Sequence, residues 1–230
     1  MSWLTKLLTR PPPLEPDARA RLERWRKLPA SPVDAPVAEA RFVVADVEAT
    51  GLDMPTDRLI AIGAVTVEAG RINLGRSFYK VLRQTAASSR DNILVHGIGG
   101  TQQREGEDPV EALLAFLEFA GRAPLVGYHA AFDATMIRRA MLGYLGETFQ
   151  GPWVDLAYVA PERIRTEGAR HKGLDTWLAR FGIEVFSRHD AVADALATAQ
   201  LFLAVLAHAE PKPRRVAELL WDPESTRWLG

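Results

Sequence analysis

At 230 residues and 47% hydrophobic, the chain can bury the core of one sizeable α/β domain with flanking tails. Its 28 basic and 29 acidic residues leave a net charge of -1, which excludes the strongly basic balance of a protein that coats DNA and makes any nucleic-acid contact a local one. The absence of cysteine excludes disulfides and thiolate metal sites and suits a reducing, cytoplasmic setting.

Residues 1–40 hold seven prolines, among them Pro11-Pro12-Pro13, around a basic stretch from Asp17 to Lys27. That composition belongs to a linker with a short docked helix, and no signal peptide, membrane span or internal repeat is read anywhere in the chain. Ala18, Leu22 and Trp25 mark one face of the helix. Arg19, Arg21, Arg24 and Arg26 are expected mostly in solvent, with a DNA-binding patch as the other reading.

The core begins at Arg41. Phe42-Val43-Val44-Ala45 is an unbroken apolar run, which predicts a central strand buried on both faces. It leads into Asp46-Val47-Glu48-Ala49-Thr50-Gly51. Asp46 and Glu48 are two residues apart, so both project from one face near the point where Thr50-Gly51 breaks the strand. Such a pair is either solvated at a strand end or gathered around a hard cation with oxygen ligands, Mg²⁺ or Mn²⁺. Leu59 to Glu68 and Ile72 to Leu82, joined by Ala69-Gly70-Arg71, predict an antiparallel meander with the first strand.

Asp108-Pro109 is a helix-start pair, and Leu113, Leu114, Phe116 and Leu117 follow at helical spacing until Gly121. Pro124 to Tyr128 predicts a buried fourth strand that runs into Phe132-Asp133. A helix marked by Met136, Ile137, Ala140, Met141 and Tyr144 then ends near Gly146. Leu174, Trp177, Leu178 and Phe181 give another, closed by Gly182, and a last long helix runs from about Ala191 to His208. The resulting class is α/β with a mixed sheet and flanking helices.

Asp133 stands on the first turn of its helix and Asp194 early in the last one, five residues after His189. Singly, each suits a helix cap. Asp46, Glu48, Asp133 and Asp194, each at an element terminus, could together line one metal site.

With these residues the chain resembles the DEDDh exonucleases, the DnaQ-like superfamily that includes the proofreading epsilon subunit of bacterial DNA polymerase III. The family's D-x-E-x-T-G matches Asp46 to Gly51, its apolar strand followed by F-D matches Leu125 to Asp133, and its histidine five residues before aspartate matches His189 and Asp194. In the sister subgroup a tyrosine lies four residues before that aspartate, and here the position is Asp190. His96-Gly97-Ile98 is similar to a recurring H-G-I segment. One departure is Tyr128-His129, where the family often has His-Asn.

The resemblance covers about residues 41–208, with 1–40 as an N-terminal extension and 209–230 as a C-terminal tail. It implies a ribonuclease H-like sheet of three antiparallel strands and further parallel ones. It also implies 3'-5' hydrolysis at the 3' end of a single strand, DNA favoured over RNA, with release of nucleoside monophosphates. Asp46, Glu48, Asp133 and Asp194 would hold two divalent cations, with Asp46 bridging and His189 as general base. Thr50, Gly51, Leu52, His96, His129 and Phe132 would contact the terminal nucleotide, although Phe132 has a second reading as core. An RNA-trimming, oligoribonuclease-like enzyme and a non-catalytic binder of a strand end or protein are the competing expectations. Trp3, Trp25, Trp221 and Trp228 lie outside the implied domain, so at least one tail is expected to dock, on the domain itself or on a protein partner.

Overall fold

The computed structural model describes residues 13–149, 151–164, 173–185 and 187–220. Its centre is a five-stranded sheet built from β1 (Arg41–Ala49), β2 (Leu59–Glu68), β3 (Arg71–Val81), β4 (Leu125–Gly127) and β5 (Trp153–Asp155), in the order β3-β2-β1-β4-β5. The first three form the expected antiparallel meander, while β4 runs parallel to β1 and β5 parallel to β4. The turn between β2 and β3 has Ala69 and Gly70 both at positive φ, 48° and 70°. That backbone matches the right-handed twist of a two-residue hairpin.

Alternation along β1 divides the core. Val43, Ala45 and Val47 pack with α1 (Pro16–Arg26), α4 (Pro109–Ala120) and α5 (Ala131–Leu145) on one side. Phe42 and Val44 pack on the other with α6 (Leu156–Arg163), α7 (Leu174–Arg180) and α8 (Ala191–His208). Asp46 and Glu48 continue the second row, so the strand's period of two assigns both acids to the α8 side. The connection after β3 carries two short helices absent from the sequence reading, α2 (Arg90–His96) and α3 (Gly100–Arg104). Among the described residues, α8 alone has the length and apolarity of a membrane span, and it lies against the central sheet as a core helix.

Both flanking segments pack onto this core where they are described. Trp25 is buried beside Phe149, donates its indole N–H to Gly121 O at 2.7 Å, and lies under the Arg122 guanidinium, 3.7 Å from the ring centroid. Arg21 departs from the solvent-facing expectation: it bonds Glu118 at 2.8 Å and Glu111 at 2.6 Å, and its side chain is only 16% exposed. Arg26 is likewise taken up by Glu147 at 2.6 Å. Arg19, Arg24 and Arg26 nevertheless stay exposed, as expected, so Arg21 alone of the four turns onto the domain. At the other end Val216 and Leu219 join the α8-side core, and Val37 N–H bonds Arg214 O at 3.0 Å. Trp3, Trp221 and Trp228 lie outside the described residues.

Candidate active site

Asp46 and Asp194 meet because β1 and α8 are matched in length. Phe42 packs edge-on against Phe202, with centroids 4.9 Å apart. From Phe42 to Asp46 the strand advances about 13 Å. From Phe202 back to Asp194 the helix spans about 12 Å. One apolar contact therefore sets where the two acids face each other. The close approach also needs Gly63, paired with Asp46 in the β1–β2 register, because a Cβ there would stand 2.2 Å from the Ala191 carbonyl carbon. The lone glycine in an apolar strand is the sequence signal for that contact. Asp190 caps the helix, accepting from the Val192 and Ala193 N–H groups at 3.1 and 2.9 Å. Asp46, Glu48 and Asp194 thereby offer carboxylate oxygens that all lie within 4.8 Å of one another.

Asp133 arrives from the other layer. It is buried in the first turn of α5, and its Oδ1 accepts the Val47 N–H at 3.1 Å. The β4 ladder reaches only Val44, so Val47 lies past the end of its neighbour and the carboxylate completes its hydrogen bonding. At Gly127 a Cβ would press on Ala130 Cβ at 3.2 Å and lie in ordinary contact, 3.4 Å, with Asp133 Oδ2. Asp155, which the sequence reading missed, ends β5 and fixes the adjoining turn by accepting from the His129 and Ala157 N–H groups at 2.9 and 3.0 Å.

Crowding and burial make these acids hard to ionise. Asp46 and Glu48 are each pushed up to about 8, first by burial and then by Asp194 beside Asp46 and by Asp46 beside Glu48. Burial, followed by the charge of Asp46, holds Asp133 well above the usual carboxylate range. Arg188 offsets part of this. Its guanidinium pairs with Asp194 Oδ1 and, at 3.2 Å, with Asp175 at the start of α7. The donor set around Asp46 is all oxygen and its negative charge is under-compensated, so these residues fit hard divalent cations.

A pH dependence of stability follows. A carboxyl group raised in the folded state contributes stability that is fully present below its unfolded value, near 4, and is lost as pH rises through about 8. Asp133 and Asp155 act in the same sense, whereas His96, lowered by burial, acts oppositely on the acid side of neutrality. In EDTA the protein is therefore expected to melt higher at pH 5.5 than at pH 8.5, with a flatter profile in Asp46→Asn. A melting temperature that climbs with pH would count against the acid cluster.

The other expected site residues divide. Thr50 closes the loop after β1: its N–H bonds Arg58 O, and its hydroxyl accepts from Arg58 N–H and donates to Asp57 Oδ1 at 2.7 Å. Gly51 sits against that carboxylate, where a Cβ would come within 2.5 Å, and Leu52 is 87% exposed. Phe132 is half-buried against the α1/α4/α5 core, so its core reading holds at least in part. His129, exposed and left-handed at φ 59°, follows the strand end.

His96 stands apart from this group. It is buried, its Nδ1 accepts the Ile98 N–H at 2.9 Å, and its Nε2 lies 2.8 Å from Asn92 Oδ1. Both ring nitrogens are thus engaged within its own loop, which His96 shapes. His189 is exposed and left-handed at φ 59°, and its backbone N–H donates to Asp194 Oδ2 at 2.7 Å. Tyr79, unforeseen, pairs with Gly63 in the β2–β3 register, and its hydroxyl is raised by burial and then by Asp190 and Glu48.

Comparison with known proteins agrees with this geometry. An RNase T exonuclease family model matches residues 43–202. The DNA polymerase III PolC-type protein of Thermotoga maritima is 30% identical over 170 residues, covering 74% of this chain and 12% of the relative. A DNA polymerase III subunit epsilon-like protein of Rhodobacter capsulatus is 32% identical over 177 residues, covering 75% and 25%. The chain thus spans a quarter or less of these relatives. Escherichia coli exonuclease I in complex with a dT13 oligonucleotide superposes with a TM-score of 0.60 at 21% identity, over 74% of this chain and 42% of that one, a likeness of fold. By the family match and the ribonuclease H-like sheet on which its acids converge, the chain belongs to the DnaQ-like exonuclease family.

Proposed function

We propose that the protein is a metal-dependent 3'-5' exonuclease that removes nucleoside monophosphates from the 3' end of single-stranded DNA. The observation that carries this reading is the convergence of Asp46, Glu48 and Asp194 within 4.8 Å at the end of β1, with Asp133 bonded to the same strand. These four carboxylates would hold two cations, Mg²⁺ or Mn²⁺. Bound there, the cations would neutralise charge on the phosphodiester and lower the pKa of the attacking water.

The chain's own residues supply the rest. The exposed imidazole of His189 accepts the proton of that water at a ring nitrogen. Its backbone tie to Asp194 keeps the base beside the acids. Thr50, Gly51 and Leu52 bound the nucleotide pocket, the glycine allowing backbone approach and the leucine offering an apolar contact to the terminal base. Exposed His129 at the neighbouring strand end is a polar contact for the strand. The matched DNA polymerase III relatives favour DNA over RNA and a role alongside a polymerase. The lack of cysteine suits a cytoplasmic setting.

The test uses end-labelled single-stranded DNA and RNA of equal sequence, with Mg²⁺ or Mn²⁺ and an Asp46→Asn control. Stepwise shortening of DNA from its 3' end by the wild type alone is expected. Preferential shortening of RNA would replace the substrate assignment, and inertness toward both would overturn the reading.

A further inference from the structure

The Thr50–Arg58 loop is tied down at almost every step, yet within it the apolar side chain of Leu52 is 87% exposed. Within the loop Asp57 accepts from the Asp53 N–H at 2.7 Å, and Asp53 O accepts from the Thr56 and Asp57 N–H groups at 3.0 and 2.8 Å. From outside, Arg139 of α5 grips it through the main chain. Its Nη1 donates to Asp57 O at 2.8 Å and to Met54 O, and its Nη2 donates to Pro55 O at 2.9 Å.

Arg139 forms no ion pair with a carboxylate among the described residues. A part-buried guanidinium that satisfies three carbonyls gives up much of its hydration to order backbone that could otherwise turn to water. Arg139 also lies on the helix that carries Asp133, six residues further on and about 9 Å along the axis. One rigid element therefore holds both an acid of the cluster and the loop that displays Leu52.

We propose that Arg139 is a positioning residue for strand hydrolysis: by locking residues 54–57 to α5 it fixes Leu52 at a set distance from the acid cluster, and so sets where the 3'-terminal nucleotide comes to rest. The inference rests on the exonuclease reading. A merely structural arginine would lower stability and reduce activity independently of Leu52, whereas a positioning arginine acts through it.

The experiment measures kcat and KM of the 230-residue chain on a labelled single-stranded oligodeoxynucleotide with Mg²⁺. The variants are Arg139→Ala, Arg139→Lys, Leu52→Ala and the two combinations with Leu52→Ala, each with its melting temperature. Arg139→Ala is expected to raise KM on the order of tenfold, with a smaller change in kcat, and to be nearly silent in the Leu52→Ala background, because side chains acting through one contact do not add. Lysine should rescue little, since a single ammonium cannot reproduce the planar fork on three carbonyls.

If Arg139→Ala fails to fold, the same cycle is read with Arg139→Lys. Losses that multiply in the double variant, or a KM that does not move, overturn the inference while an active wild type leaves the exonuclease reading standing. A wild type inactive on the strand overturns both.

Discussion

Asp46→Asn is expected to abolish metal-dependent hydrolysis while leaving the metal-free fold at least as stable as the wild type. The replacement keeps the shape of the side chain and removes its charge. Burial and Asp194 together push Asp46 up to about 8, so its charge is poorly tolerated in the metal-free cluster. Its carboxylate accepts no hydrogen bond from a described residue, so nothing is orphaned by the change. Repulsion with Glu48 and Asp194 disappears, and the advantage of Asn over Asp in EDTA should widen from pH 6 to pH 8.5 as the wild-type acid ionises.

The rate should fall by more than the 10–100-fold that loss of a partner outside a metal's ligand set typically costs. Calorimetric titration with Mn²⁺ should show weakened binding. Asp133→Ala is the informative contrast. It should also lose activity, but it leaves the Val47 N–H without its partner in a buried position, so it should melt below the wild type. Undiminished hydrolysis by Asp46→Asn would end the metal-site assignment, and equal melting of the two variants would end the distinction between them.

The contrast between these acids shows which parts of the site can be read from sequence. β1 was legible because its apolar run is continuous, and Asp46 and Glu48 were legible as a pair because a strand has a period of two. The extent of α8 followed from its apolar spacing, with agreement at both ends. Acids at element termini suggest that Asp194 could share a site with Asp46, and the family resemblance sharpens this, but neither shows how the two are brought together. The physical cause is the Phe42–Phe202 contact together with the room left by Gly63, both of which join residues far apart in the chain.

Arg188 had no sequence signal, since nothing in its neighbourhood separates an arginine facing an acid cluster from one in solvent. The helices α2, α3 and α6 were missed because they are short and lack the spaced large apolar residues that mark the equally short α7, and α6 also contains Pro161. The bonds of His96 were illegible for a different reason. A motif gives the residue but not the hydrogen bonds of its ring, and here the Ile98 N–H and Asn92 take both nitrogens.

His189→Asn should separate metal binding from proton transfer. Asparagine suits the test better than alanine because residue 189 has φ 59°, a left-handed conformation that Asn adopts more readily than Ala. The backbone N–H that bonds Asp194 Oδ2 is retained in either case. Divalent-metal affinity measured by calorimetry should therefore stay close to wild type, while the rate at saturating metal falls by the roughly 10²–10⁴-fold typical of losing a general base. Saturation matters, since Asp46 and Glu48 must also lose protons to hold a cation, and at low metal that requirement would itself produce a rise in rate with pH.

With metal in excess, the wild-type rate should climb with pH to a plateau, because only a neutral ring accepts a proton. The variant should lack that limb. Replacing Mg²⁺ by Mn²⁺ should then restore part of its rate, since a more acidic water depends less on a base. A variant with the wild-type rate and the same pH limb would reduce His189 to the residue that turns the chain into α8.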